Sequence, residues 1–205
     1  MGIKFLSFFS LLLLTGDLIA QNECFNDCSK RMITEQMILM DKKVSSIDSL
    51  LSVNRRITAD LKGCPFPKTF LNKLDSGTIN IDAFQGKLVF IHFWFSTCAP
   101  CVAEIPSINK LINEYDNKKV VFLAISNDDR KKIVSFLNNK EFKATQTYID
   151  RSSMEKYFCI IDGYPMNMLL NKEGKVIDAW TGGEIDKTKQ DDFYNRIKTL
   201  LDANL

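Results

Sequence analysis

Phe93-Trp94-Phe95-Ser96-Thr97-Cys98-Ala99-Pro100-Cys101 decides the reading of this chain, because it sets a C-x-x-C pair where an apolar run hands over to a helical pattern. Leu88 to Phe95 is continuously apolar apart from His92 and rich in Val, Ile and aromatic residues, as expected of a central strand buried on both faces. Pro100 to Tyr115 reads as a helix, with Pro100 in the first turn, where its missing N–H costs nothing. Cys98 then falls at a helix N-terminus, where unpaired N–H groups and the helix dipole favour thiolate over thiol. A thiolate there attacks a disulfide, and Cys101, one turn further in, resolves the mixed disulfide.

Other readings of the pair compete with this one. A c-type haem site needs His after the second Cys, and Val102 is there instead. A zinc site would have to recruit Cys24 and Cys28, against the strand-to-helix setting and a single His in the whole chain. A static bridge is the third, although structural disulfides usually staple distant segments. Neither a metal nor an organic cofactor is expected: the redox-active group is the Cys98–Cys101 disulfide itself.

Outward from the pair, the pattern alternates. Val120 to Ser126 reads as a second buried strand, Asp128 to Asn139 as a helix, Thr145 to Ile149 as a short strand and Ser152 to Phe158 as a short helix. Met166 to Leu170, the turn Asn171-Lys172-Glu173-Gly174 and Val176 to Trp180 read as an antiparallel hairpin, and Asp186 to Leu201 as a closing helix. The fold class is α/β, a mixed central sheet flanked by helices, preceded by a long N-terminal helix.

That N-terminal part divides in two. Residues 1–20 read as an export signal: Lys4, the apolar run Phe5 to Leu14, and Leu18-Ile19-Ala20 before a cut at Gln21. Residues 21–62 comprise a polar, mobile-looking patch holding Cys24 and Cys28, then a helix from Arg31 to Lys62 without Gly or Pro. Ile33, Met37, Met40, Val44, Ile47, Leu51 and Leu61 form its seam, with Asn54 and Thr58 as weak places. A homodimer paired through this helix competes with packing on the chain's own domain, which the two polar seam positions favour. Gly63-Cys64-Pro65-Phe66-Pro67 ends the helix and opens the main domain, 63–205. With 27 basic against 25 acidic residues and no basic cluster, nucleic acid is not an expected partner.

From Gly63 to about Leu201 the chain resembles the TlpA/ResA branch of thioredoxin-like proteins, through a Gly-x-x-x-Pro start, Gly86-Lys87, Phe93-Trp94, and Cys98-Ala-Pro-Cys101-x-x-Glu104-x-Pro106. The resemblance implies a thioredoxin-like fold and an exported, periplasmic thiol–disulfide oxidoreductase, held at the outer face of the inner membrane if the signal stays uncleaved. It also implies reduction of disulfide-bearing client proteins, often in cytochrome c maturation, with electrons from a membrane thiol donor.

The resemblance directs attention to Tyr164-Pro165 as a cis-proline site beside the cysteines that presents backbone to an extended substrate. Tyr164 and Met166 depart from the usual residues there, which puts substrate choice in doubt. Trp94, Thr97 and Pro100 complete the expected substrate face, although Thr97 replaces the family's common Trp. Glu104, three residues past Cys101 on one helix face, is the expected proton carrier. His92 interrupts the apolar strand where the branch more often has Asn; a core His with one satisfied bond competes with a proton relay to Cys101. Cys24, Cys28, Cys64 and Cys159 admit three pairings, with a buried inert thiol the simplest reading of Cys159. Two rivals remain. One is an interaction protein that keeps Cys98–Cys101 as a fixed bridge; the other is a peroxidase, disfavoured because the sequence has no nearby Arg after the pair to stabilise the thiolate and peroxide.

Overall fold

In the computed structural model, residues 8–43, 46–115, 119–161, 163–183 and 185–205 are described; for residues 8–22, Ile47 and Lys187 this covers the backbone only. The export-signal reading therefore falls partly outside the described residues. Among the described residues, no helix is long and apolar enough to cross a membrane.

β3 (Leu88–Trp94) is buried at every position and forms the spine of a seven-stranded sheet. It pairs in parallel with β4 (Val120–Ser126), and β4 in parallel with β5 (Thr145–Tyr148). On its other side β6 (Met166–Leu170) runs antiparallel and is followed by β7 (Val176–Thr181), as the hairpin pattern predicts. Two short strands extend the β5 edge and were not legible in the sequence: β1 (Leu71–Lys73) pairs with β5, and β2 (Thr78–Ile79) pairs with β1. They are too short to carry a pattern.

The period-2 alternation of β3 divides the core. Val89, Ile91 and Phe93 join one apolar cluster, and Leu88, Phe90 and Trp94 join the other. The second cluster is closed by α3 (Ala99–Glu114) through Ile105, Ile108 and Leu111, by α4 (Arg130–Leu137) through Ile133, and by α6 (Lys187–Asp202) through Ile197 and Leu201. α5 (Arg151–Phe158) covers the first cluster with Met154 and Phe158.

The single helix expected from Arg31 to Lys62 is corrected. The chain forms two helices, α1 (Phe8–Asp41) and α2 (Ile47–Ala59), with Lys43 at a positive φ of 54° after the first and Ser46 capping the second. α1 also includes the patch expected to be mobile. Phe25, Cys28 and Met32 of α1 pack with Val53 and Ile57 of α2 against the first face of the sheet. The expected seam is split: Leu61 is buried and Ile33, Met37 and Met40 are exposed, while Val44 lies outside the described residues.

Two disulfides fasten this hairpin. Cys24 bonds to Cys64, and Cys28 bonds to Cys159, with Cα atoms 6.0 and 5.8 Å apart. The reading of Cys159 as an inert thiol is thereby corrected. Cys159 sits in the left-handed region at the end of α5, and that turn carries it towards α1.

Candidate active site

Cys98 is the N-cap of α3, and the third disulfide joins it to Cys101. The Cys101 backbone N–H donates to Cys98 Sγ at 3.3 Å, so the helix start is already aimed at the sulfur that would carry negative charge after reduction. The preceding loop is pinned by the Ser96 N–H, which donates to Asp128 Oδ2 at 2.7 Å. Cys101 is fully buried, while Cys98 keeps slight exposure at the edge of a cleft of about 460 Å3. Phe95, Pro100, Asn127, Arg151 and Tyr164 line that cleft with it.

The Tyr164–Pro165 peptide bond is cis, as the resemblance implies. Tyr164 stands edge-on to Phe95 with ring centroids 5.1 Å apart, and the two rings form the apolar wall beside Cys98. Pro165 itself is buried, and its carbonyl accepts from Gly182 N–H at 2.8 Å. Thr97 is exposed, on the neighbouring cleft below α4. Trp94, expected on the substrate face, is corrected: it is fully buried, with its ring against Phe136 and Phe142, because β3 alternation turns it into the core.

Glu104 lies one turn beyond Cys101 and is only 2% exposed. Asn167 Nδ2 donates to its Oε2 at 3.1 Å, and Asn167 Oδ1 accepts from His92 Nδ1 at 2.8 Å. His92 Nδ1 is also 3.5 Å from Glu104 Oε2. Burial pushes the Glu104 carboxyl up to about 8, against a smaller downward pull from the Asn167 amide. Burial lowers His92 to about 4, so the ring is neutral at pH 7; Asn167 opposes this, and the Cys101 backbone pulls weakly the same way without hydrogen-bond geometry at Nε2. At neutral pH the His92 ring is thus held uncharged, whereas the Glu104 carboxyl is the group shifted close to that pH.

Glu104 also forms the floor of a second cavity, about 330 Å3, walled by Trp180, Gly183, Phe193 and Arg196. Gly183 backs directly onto the carboxyl group: a Cβ there would sit 2.6 Å from Glu104 Oε1 and 2.7 Å from Pro165 Cγ. Asn167 and Gly183 are the site residues that sequence reasoning missed. Asn167 carried a signal, since it interrupts the apolar strand Met166–Leu170 as His92 interrupts β3. Among the described residues no cluster of His, Cys, Asp and Glu is arranged to hold a metal.

Comparison with known proteins agrees with this geometry. Residues 63–196 match the model of the AhpC/TSA family. The chain is 27% identical over 139 residues to the thiol-disulfide oxidoreductase ResA of Halalkalibacterium halodurans, covering 62% of this chain and 72% of that protein. It is 29% identical over 132 residues to ResA of Bacillus thuringiensis subsp. konkukian, covering 64% and 75%. Among solved structures, the thioredoxin domain of a Bacteroides vulgatus thiol-disulfide oxidoreductase superposes with a TM-score of 0.57 at 24% identity, over 68% of this chain and 97% of that one. A thiol:disulfide interchange protein from Bacteroides sp. gives 0.58 at 22%, over 69% and 90%. Both support the thioredoxin-like fold. With a cysteine pair capping α3 and a matched family model over most of its length, the chain belongs to the AhpC/TSA family and is a thiol–disulfide oxidoreductase.

Proposed function

We propose that the chain is an exported reductase of protein disulfides. The observation that carries this reading is the asymmetry of the pair: Cys98 lies at the edge of a cleft and at a helix N-terminus, whereas Cys101 is fully buried one turn from Glu104. In the reduced protein the Cys98 thiolate attacks a client disulfide, forming a Cys98–client bond and releasing the first client thiolate, which takes a proton from solvent. Cys101 passes its proton to the ionised form of Glu104, and its sulfur then attacks Cys98 Sγ. The Cys98–Cys101 bond forms, the second client thiolate leaves and takes up the proton that Glu104 received, and two electrons have moved to the client.

Phe95 and Tyr164 hold the client segment against Cys98, with Pro165 fixing the position of Tyr164 and Thr97 and Pro100 at the rim. The sulfurs carry both electrons, so the proposed reaction uses no metal or organic cofactor. A further thiol donor, at the membrane in this reading, must reduce the pair again after each turnover. Two disulfides that fasten the scaffold support an oxidising, extracytoplasmic compartment, the periplasm in this reading. Cytochromes c are one class of client that fits.

The test is the equilibrium reduction potential of the Cys98–Cys101 pair, with Cys98→Ser as control. A value near about −270 mV supports a reductase, and one near about −120 mV replaces it with an oxidant that inserts disulfides. A pair that exchanges with no thiol identifies a fixed bridge and an interaction protein.

A further inference from the structure

His92 and Asn167 are direct partners in the β3–β6 register, so two polar side chains meet between two otherwise apolar strands. Both are fully buried, and both face the layer under α3 that holds Glu104 and Cys101. A buried amide without partners is costly, so the bonds that Asn167 makes matter, whereas His92 Nε2 finds no partner among the described residues. Each Asn167 polar group has one: Oδ1 receives the His92 Nδ1–H, and Nδ2 is thereby turned to donate to Glu104.

We infer that Asn167 is the positioning residue for Glu104: its amide, oriented by the neutral His92 ring, holds the carboxyl group that serves Cys101 in the proposed exchange. This rests on the function proposed above and adds to it the residues that aim the proton carrier. A planar amide can present either end, and only the Nδ1–H form of His92 selects the end found here. His92 then acts at one remove, as the lock on an amide, and no proton passes through it.

Among the described residues, the other charged groups lining the cavity at Glu104 come from α6, and Arg55 of α2 lies against Gly182 on the cavity wall. Lys189, Asp192 and Arg196 line it, with Arg196 engaged by Asp178 at 2.7 Å and stacked on Trp180. On its own helix Glu104 follows Cys101 by three residues, and from β3 His92 reaches it, with Nδ1 3.5 Å from Oε2. The Asn167 amide favours the ionised carboxylate, so its loss must raise the pH at which Glu104 releases its proton.

Two measurements test this. In the uniformly 15N-labelled wild-type protein, long-range 1H–15N spectra of the chain's single histidine are expected to show the neutral Nδ1–H tautomer from pH 6 to 8. An Nε2–H tautomer or an imidazolium across that range overturns the inference. In stopped-flow oxidation of the reduced protein by oxidised glutathione, Asn167→Leu and His92→Phe are expected to move the Glu104-dependent inflection of the pH–rate profile upward by about one unit. Neither substitution should move the profile in a Glu104→Gln background. An inflection left in place in both variants overturns the positioning role, and should neither variant fold, the tautomer decides. A wild-type protein that exchanges with nothing would instead sink the proposed function, and the tautomer would still judge the network.

Discussion

Cys28 on α1 is covalently joined to Cys159 at the end of α5, although 131 positions separate them in the chain. The bond holds the helical hairpin on the face of the sheet opposite α3, beside the segment that leads to Tyr164 and Pro165. A cross-link closing so long a loop acts mainly on the unfolded chain, by about 2–5 kcal/mol. The double substitution Cys28→Ser/Cys159→Ser should therefore lower Tm in calorimetry while leaving the potential of Cys98–Cys101 unchanged. An unchanged Tm would mean that packing and the Cys24–Cys64 bridge hold α1 without this bond.

The buried pair Glu104 and His92 sets a pH signature on stability. Glu104 is raised from 4.5 to about 8, so the folded state holds an extra proton between those values and this group's stabilisation is lost as pH rises through them. His92 is lowered from 6.5 to about 4, so its contribution is lost as pH falls through that range. The two oppose one another between about 4.5 and 6.5, and wild-type stability should be nearly flat there and fall from about 6.5 to 8. In Glu104→Gln the fall disappears, leaving a variant more stable than the wild type at pH 8 by on the order of a few kcal/mol. Urea titrations at a series of pH values measure this, and parallel curves for the two proteins would contradict it.

Gly183 has no room for a side chain, because a Cβ would press on Glu104 Oε1 and on Pro165 Cγ together. Neither neighbour is an exposed flexible end, so Gly183→Ala should cost about 1–3 kcal/mol in urea unfolding and slow disulfide exchange. Full stability with full activity would show that the loop after β7 can retreat freely.

Tyr164 and Phe95 wall the cleft at Cys98. Tyr164→Ala should reduce kcat/KM for a disulfide-bonded peptide several-fold, in keeping with about 1 kcal/mol of aromatic contact, and change the rate with oxidised glutathione much less. Equal losses with both oxidants would assign Tyr164 to holding Cys98 rather than substrate.

Much of the architecture was open to reading in the chain. The apolar run of β3, the alternation of strands and helices after it, and the closing hairpin all follow from local periodicity, which neighbouring residues carry by themselves. The C-x-x-C pair at a strand–helix junction was equally local, since a helix N-terminus acts on a sulfur within one turn. The Arg31–Lys62 segment misled because a heptad-like spacing marks an apolar face without marking where the helix breaks.

What the sequence determined by itself was therefore the order of elements, the place of Cys98 and Cys101, and the Cys101-to-Glu104 step along one helix. Tertiary structure alone decided which of three pairings the four remaining cysteines adopt, that Trp94 turns into the core, and that Asn167 meets His92 and Glu104. Those are distances between residues tens of positions apart, and no local pattern encodes them. They exist only once β3, β6 and α3 have packed, when burial turns an ordinary carboxyl group into one that titrates near neutral pH.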